Sequence, residues 1–309
     1  MMEQLISVAQ TALPVFLALG LGALCRKIGF LSREGVDVLK KVVVNITLPA
    51  VLVASFATAE YSLTTLALPV VMFLLCCLAL GVGFVWTRLG KNKSHTAPYL
   101  ATGFEAGMLG YALFTLLFKD HSTAEFAILD IGQTIFVFTL YKLLLSGGGK
   151  GKALVMDMVK TPILWAVFAG VLLGATGLYG LMEKSGLSGV FQGCADFVAA
   201  PTGMIILLTV GYDLVPKEIP WKSTLNLIAM RFVSMAVVYG VLVLLNRTVF
   251  NGVIFEGAAL LMCILPPPYV LPVFADEPAE RVQTASALSA LTVLTMVLFA
   301  VCCAVTGLG

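Results

Sequence analysis

Glu105 is the residue whose type and position most strongly predict chemistry. It lies about 8 residues into an apolar run from about 97 to 118, so a helix rising 1.5 Å per residue puts it about 12 Å deep in a bilayer. A carboxylate at that depth costs at least about 2.5 kcal/mol and usually marks a substrate, ion or proton pathway. Gly103, Gly107 and Gly110 surround it and are predicted to break the helix. The alternative is a structural ion pair with Arg231, which lies at comparable depth in another run.

A second polar group lies in the run from about 123 to 145. Asp130, Gln133 and Thr134 are spaced i, i+3, i+4, so they share one helix face, at about the depth of Glu105. Together with Glu105, these oxygens would form a cage suited to a proton or Na⁺. We therefore predict ion or proton coupling by Glu105, Asp130, Gln133, Thr134 and Arg231. The open alternative is that Asp130 lies near the membrane interface and has no role in coupling.

Neutral polar residues flank two prolines in other runs. Asn45 and Thr47 precede Pro49, and Thr202 follows Pro201. They either face a cavity or bond neighbouring helices, which is worth about 0.6 kcal/mol each. The predicted substrate-binding set is Asn45, Thr47, Glu105, Gly107, Gly110, Thr202, Pro267 and Tyr269.

The sequence gives little support to enzymatic or metal chemistry. Both histidines, His95 and His121, fall in predicted loops, and the seven cysteines are scattered through apolar runs. Glu105 with Asp130 is the only candidate acidic pair for an intramembrane enzyme, and no motif supports it. We predict no enzyme, no catalytic residue, no metal and no cofactor other than a coupling H⁺ or Na⁺. The remaining acidic residues at run ends, Asp196, Asp213 and Glu256, are predicted to be interfacial.

The elements that must position these residues are apolar runs of membrane-spanning length. Of 309 residues, 60% are hydrophobic and 12% are charged, which excludes a soluble enzyme with a membrane anchor. A net charge of +2 provides no basic field for nucleic acid.

Ten spans are predicted, so the lipid bilayer is the main partner. They lie at about 5–25, 37–58, 63–86, 97–118, 123–145, 160–181, 190–213, 223–246, 253–275 and 283–308.

Loop charges predict the orientation. With both termini outside, Lys119, Lys184 and Arg247 are external and Lys142 and Arg231 lie within spans, while the other 14 of the 19 Lys and Arg residues are cytoplasmic. The positive-inside rule therefore favours N-out and C-out.

Helix-breaking residues recur in two halves. Pro14 and Pro49 in spans one and two correspond to Pro162 and Pro201 in spans six and seven, and the glycines of span four correspond to Pro266, Pro267 and Pro268 in span nine. Five spans per half would make the second half enter from the opposite side, which is the arrangement of an inverted repeat. The predicted organisation is a first repeat at 1–145, a cytoplasmic linker at 146–159 and a second repeat at 160–309. The predicted breaks are Gly103, Gly107, Gly110, Pro266, Pro267 and Pro268, in helices that cross near the midplane.

These motifs resemble the auxin efflux carrier family of permeases over nearly the full chain, including bacterial malonate and malate permeases. The matching features are Asn45–Ala50, Thr102–Gly110, Thr161–Leu164, Ala199–Gly203, Arg231 and Leu265–Pro268. The resemblance implies an all-α fold similar to bile-acid symporters. In that fold, crossed helices four and nine sit in a transport domain of spans three to five and eight to ten. This domain moves against a scaffold of spans one, two, six and seven.

The resemblance also implies a multi-pass protein of the bacterial inner (plasma) membrane that transports a small organic solute, expected to be an organic acid. Where the family commonly has Asn, this chain has Glu105, which would repel a carboxylate unless it is protonated or paired with Arg231. A cationic or zwitterionic cargo with Glu105 as counter-charge is therefore an alternative, and a membrane sensor without transport is another. The sequence also leaves open a homodimer, the direction of transport and the choice of ion.

Overall fold

The computed structural model describes residues 2–59, 61, 63–90, 94–145, 162–213, 221–269, 271 and 278–306, and all regular structure within them is helical. The predicted linker at 146–159 lies outside these residues. The α-helices are α1 Met2–Lys27, α2 Arg33–Val42, α3 Leu48–Ala57, α4 Leu63–Leu89, α5 Tyr111–Leu117, α6 Thr123–Phe136, α7 Lys142–Leu145, α8 Pro162–Ala175, α9 Leu178–Lys184, α10 Ser188–Ala199, α11 Thr202–Asp213, α12 Trp221–Thr248, α13 Glu256–Ile264 and α14 Pro278–Thr306.

Six helical stretches are long and apolar enough to cross a bilayer: Arg33–Ala57, Ala67–Leu89, Thr123–Leu145, Ser188–Asp213, Thr224–Thr248 and Gln283–Ala304. The pair α8 and α9, bent by 63°, would make a seventh. The prediction of an all-helical chain with many spans is confirmed, whereas the count of ten stays a prediction. Span five begins and ends at the predicted residues, Thr123 and Leu145.

Three π-helical turns are present: Val43–Thr47 joins α2 to α3, Ala106–Gly110 leads into α5, and Val137–Tyr141 joins α6 to α7. Each wide turn rotates the residues that follow it relative to a regular helix, and such turns are frequent at functional sites. The first follows α2 and the third follows α6, so the faces presented by spans two and five change partway through the bilayer.

The start of span five is fixed by a capping box. The Ser122 hydroxyl accepts a hydrogen bond from the amide of Ala124 at 3.2 Å, and the Glu125 carboxylate accepts one from the amide of Ser122 at 3.3 Å. Since this cap sets where α6 begins, it also sets the depth and facing of the polar residues two turns further along the helix.

Spans of the two halves pack on each other through close backbone contacts. Helix α1 packs along α11, and α8 packs along α3. Gly22 of α1 lies against the backbone of Leu208, and Gly170 of α8 lies against the backbone of Val53. A side chain at either glycine would prevent this approach, which is how small residues commonly serve helix packing in membranes.

Glu280 ties the start of α14 to the segment before span four. Its Oε1 atom accepts hydrogen bonds from the Ser94 hydroxyl at 2.6 Å and the Thr96 amide at 2.7 Å. The Thr96 and Thr284 hydroxyls are also bonded, at 2.8 Å. Partial burial raises the pKa of Glu280, but the hydrogen bonds from Ser94 and Thr96 outweigh it, so the pKa lies below its ordinary value.

Acid is therefore expected to loosen this connection. A carboxyl whose pKa is lowered on folding stabilises the fold at pH values above its ordinary pKa. That contribution is lost as the pH falls through the lowered pKa. Melting temperatures of purified protein should fall more steeply below about pH 4.5 for the wild type than for Glu280→Gln, which has no such carboxyl to protonate. Identical acid profiles of the two proteins would contradict this assignment.

Candidate functional site

The break in span four occurs between two short helical turns. A 3₁₀ turn at Ala97–Ala101 ends before Thr102, and the π turn at Ala106–Gly110 leads into α5. Gly103 has φ of +69°, a left-handed conformation that favours glycine, and an added Cβ would lie 2.9 Å from the Pro268 ring. The predicted interruption of span four is therefore present, and Gly103 allows span nine to come close.

The break in span nine begins where α13 ends, at Ile264. Leu265 is extended and Pro266, Pro267 and Pro268 are not helical. Prolines cannot donate backbone hydrogen bonds, so carbonyls of the last turn lose their helical partners. Side chains satisfy two of them: the Thr295 hydroxyl donates to the Ile264 carbonyl at 2.6 Å, and Arg231 Nη2 donates to the Leu265 carbonyl at 2.9 Å.

The two breaks meet at Glu105. Its amide donates to the Pro266 carbonyl at 2.8 Å, and its carboxylate Oε2 accepts from the Tyr269 amide at 2.5 Å. Glu105 is buried, with 9% of its surface exposed. One residue therefore binds the other break through both its main chain and its side chain. A change in the charge or position of the Glu105 carboxylate therefore alters the contact between the two breaks.

The predicted polar face of span five is brought together by the structure. Asp130 accepts three hydrogen bonds: from the Tyr111 hydroxyl at 2.9 Å, from Gln133 Nε2 at 3.1 Å and from the Thr134 hydroxyl at 3.2 Å. Gln133 also bonds both main-chain groups of Phe104, accepting from its amide at 3.2 Å and donating to its carbonyl at 3.1 Å. Asp130 is buried among these partners, with 6% of the residue exposed.

Arg231 lies beside both breaks and has few polar partners. Besides its bond to Leu265, its guanidinium lies 5.3 Å from the centre of the Phe104 ring. Within the described part of the chain, its Nε and Nη1 atoms have no hydrogen-bond partner. The structure therefore uses Arg231 to hold a freed carbonyl rather than the Glu105 carboxylate, which differs from the ion pair considered from the sequence.

A cavity of about 780 Å³ lies between α1, α3, the α10–α11 stretch and α5. Its volume falls within the usual range for small-molecule sites. Apolar side chains from all four walls contribute most of the lining. The polar residues that line it are Ser55, Thr58, Tyr111, Thr115, Ser122, Thr123, Gln192, Asp196 and Thr202.

Only Thr202 of the predicted substrate-binding residues lines this cavity. Asn45 is exposed and donates to the Lys41 carbonyl one turn earlier in its own helix, and Thr47 is buried without a hydrogen-bond partner for its hydroxyl in the described structure. The remaining five lie at or beside the two breaks: Glu105, Gly107, Gly110, Pro267 and Tyr269.

Of the predicted substrate-binding set, only Thr202 is among the polar residues of the cavity wall, and Tyr111 and Asp196 are the two informative residues that sequence reasoning missed. Tyr111 directly follows the last glycine of span four, and that position next to a predicted break was a usable signal. Asp196 was assigned to the interface. It is exposed, accepts from Gln192 Nε2 at 2.8 Å, and lines the cavity five residues before Pro201.

Comparisons with known proteins find proteins described as transporters. Residues 7–155 match a family model described as membrane transport protein, which is the auxin efflux carrier family. This match, over slightly less than half of the chain, supports the predicted resemblance to the auxin efflux carrier family. A protein of Methanothermobacter thermautotrophicus described as an uncharacterized transporter is 29% identical over 205 residues, which cover 64% of this chain and 66% of that protein.

Both matches are to transport proteins, which supports the prediction of a multi-pass membrane transport protein rather than an enzyme. The region matched by the family model contains the break in span four, Glu105 and Asp130. Arg231 and the break in span nine lie outside that region. Their place in the site rests on the hydrogen bonds described above.

Proposed function

We propose that the protein is a secondary transporter that moves a small organic solute across the bacterial inner membrane by alternating access. The observation that carries the proposal is the cavity between the wall of α1, α3 and α11 and the wall of α5, which follows the break in span four that is hydrogen-bonded to the break in span nine. Broken helices that cross near the midplane are a common way for secondary transporters to bind their cargo. The crossing would move with spans three to five and eight to ten, against a scaffold of spans one, two, six and seven.

The packing of the two halves supports ten spans in two inverted repeats. Span one of the first half packs along the second part of span seven, and span six packs along the second part of span two. If span one corresponds to span six and span two corresponds to span seven, these two contacts join equivalent pairs of spans. A pseudo-two-fold axis in the membrane plane produces such a pair of equivalent contacts.

Contacts at the helix ends support the predicted arrangement of loops. Arg33 and Lys40 both bind the Asp213 carboxylate, which joins loops predicted to be cytoplasmic. At the other end, the His121 ring stacks on Phe255 at 3.7 Å, which joins loops predicted to be external. The cavity includes Ser122 and Thr123 of the predicted outer end.

Among the described residues, the cavity lining does not reach the opposite end. In α1 its lining stops at Leu21, and the helix continues to Lys27. In α11 the lining stops at Leu207, six residues before Asp213. We therefore assign this conformation to an outward-facing state, in which cargo reaches the crossing from outside.

Coupling is assigned to Glu105 at the crossing. Glu105 either exchanges a proton or helps hold Na⁺. The site is supported by Asp130, Gln133, Thr134 and Arg231. A buried carboxylate that bonds the main chain of a second broken helix can transmit a change of charge to both helices at once.

An organic acid is the cargo expected from the family, but the charges around the cavity favour the second candidate, a cationic or zwitterionic solute. The lining includes one ionisable carboxylate, Asp196, and no Lys or Arg among the described residues. At the break, the amides of Phe104, Glu105 and Tyr269 already donate to protein acceptors. The cavity lining therefore offers neutral hydroxyl and amide donors but no positive charge among the described residues to balance a carboxylate, and these main-chain amides are already used.

Uptake into proteoliposomes tests both candidates. With a radiolabelled amine and a radiolabelled dicarboxylate as probes, we expect the amine to be transported and Asp196→Asn to weaken its uptake about tenfold, because the variant removes the charge of the cavity wall. Asp120→Asn, an exposed residue outside the lining, should leave uptake unchanged. Preferred uptake of the dicarboxylate would restore the organic-acid candidate. Saturable binding of a probe without flux would indicate a sensor instead.

A further inference from the structure

Tyr111 separates the cavity from the buried Asp130 carboxylate. The residue contributes to the cavity wall, and its hydroxyl donates to Asp130 Oδ2 at 2.9 Å. Only 3% of Tyr111 is exposed, and its ring packs edge-on against Phe126 with centroids 5.0 Å apart. These contacts place the Tyr111 ring between the cavity and Asp130, so a cargo in the cavity would lie directly against it.

The surroundings of Asp130 make it depend on this hydroxyl. Helices α3 and α8 surround it with apolar side chains, among them Leu52, Ile163 and Val167. In the described structure, Tyr111 is the titratable group that contacts it, and Gln133 and Thr134 are its other donors. An ionised carboxylate with three donors and no cation beside it loses a large part of its stabilisation when one donor leaves.

Gln133 extends the network from Asp130 to the crossing. Its Nε2 group is shared between Asp130 Oδ1 and the Phe104 carbonyl, both at 3.1 Å, while its Oε1 accepts from the Phe104 amide. Phe104 immediately precedes Glu105, whose amide binds the Pro266 carbonyl. An unbroken series of hydrogen bonds therefore connects the cavity wall with the point where spans four and nine cross.

We propose that Tyr111, Asp130 and Gln133 form a relay that couples cargo in the cavity to proton binding at Asp130 and to the geometry of the span-four break. This inference rests on the proposed transport function and adds a second proton site, distinct from Glu105. Cargo that displaces the Tyr111 hydroxyl removes one donor from ionised Asp130, so the carboxylate takes up a proton. The proton comes from a hydronium ion that enters the cavity from the outside solution: one O–H bond forms on the carboxylate, one O–H bond of the hydronium breaks, a neutral water is left, and no electrons are exchanged.

Protonation changes what Asp130 can accept. The ionised group accepts only, whereas the protonated group carries an O–H donor that competes with the donors now facing it. Gln133 Nε2 then loses its hydrogen bond to Asp130, and the two hydrogen bonds between Gln133 and the main chain of Phe104 weaken. The break is released when both cargo and proton are bound, which is the condition that coupled transport requires. Tyr111 and Gln133 act here as positioning residues.

Hydrogen–deuterium exchange of the purified full chain tests the relay without requiring transport. We expect exchange in the 102–110 segment, corrected for the intrinsic pH effect, to rise about tenfold as pH is lowered in the wild type, because the Phe104 amide loses its acceptor. Tyr111→Phe should move this response to higher pH, and Asp130→Asn should abolish it. Thr115→Val is the matched control, since it removes a hydroxyl from the same cavity wall that bonds only its own helix.

The outcomes separate the relay from the transport function. Equal pH responses for Tyr111→Phe and Thr115→Val would overturn the relay, as would a wild-type response in Asp130→Asn. If Asp130→Asn does not fold, Thr134→Val takes its place, because it removes a different donor of the same carboxylate and should also raise the pH of the response. Exchange that responds as expected in a protein without flux would overturn the proposed function and leave the relay standing.

Discussion

Glu105→Gln is expected to reduce gradient-driven uptake at least about tenfold while the protein stays folded. The amide of Gln has nearly the shape of the carboxyl, and its oxygen can still accept from the Tyr269 amide as Glu105 Oε2 does at 2.5 Å. It cannot ionise, release a proton or attract a cation with a full charge. The measurement is initial uptake into proteoliposomes with and without an imposed pH or Na⁺ gradient.

The control for this variant is Glu183→Gln, which removes a carboxyl from the exposed face of the short helix α9. Its uptake should match the wild type under both gradients. If Glu105→Gln keeps its full response to a gradient, coupling at Glu105 is excluded and the ion must act elsewhere. A loss of uptake accompanied by a fall in melting temperature would instead assign a structural role to the Glu105 hydrogen bond.

The breaks could be predicted from the sequence because their causes are local. Three consecutive prolines after Leu265 cannot continue a helix, and glycines on both sides of Glu105 weaken one. The shared face of Asp130, Gln133 and Thr134 was also predictable, since i, i+3 and i+4 positions meet on any helix. Predictions of this kind needed only backbone geometry and the period of the helix.

Partners across the fold could not be predicted in the same way. The sequence placed Arg231 near Glu105 in depth, but depth alone does not say which acceptor a guanidinium reaches. In the fold, the carbonyl of Leu265 at the end of α13 has lost its helical partner, and Arg231 binds it. Pairs of this sort depend on how two distant spans are rotated against each other.

Local departures from helix geometry also moved residues away from their predicted faces. Asn45 and Thr47 were expected either to face a cavity or to bond neighbouring helices, and both lie in the π turn Val43–Thr47. One extra residue in a turn rotates the following side chains by roughly 100° about the helix axis. Asn45 consequently points outward and bonds the Lys41 carbonyl, while Pro49, just beyond the turn, begins a helix that packs on α8.

Gly22→Ala is expected to have the largest effect on stability. A Cβ at Gly22 would lie 2.0 Å from the carbonyl oxygen of Leu208 and 2.7 Å from the amide nitrogen of Tyr212, both backbone atoms of α11. Neither can move without displacing the whole helix, so spans one and seven must separate. We expect a loss of at least about 2 kcal/mol, seen as a lower melting temperature in detergent and a smaller monodisperse fraction.

Gly20→Ala provides the matched control two residues earlier in the same helix. Gly20 is exposed, and an added Cβ there would meet no atom within 4 Å. Alanine also has a higher helix propensity than glycine, so this variant should be neutral or slightly more stable. Equal melting temperatures for the two variants would mean that α1 and α11 do not pack at this distance. Because the wall of the cavity is built from these two helices, that result would also remove the basis for the proposed transport path.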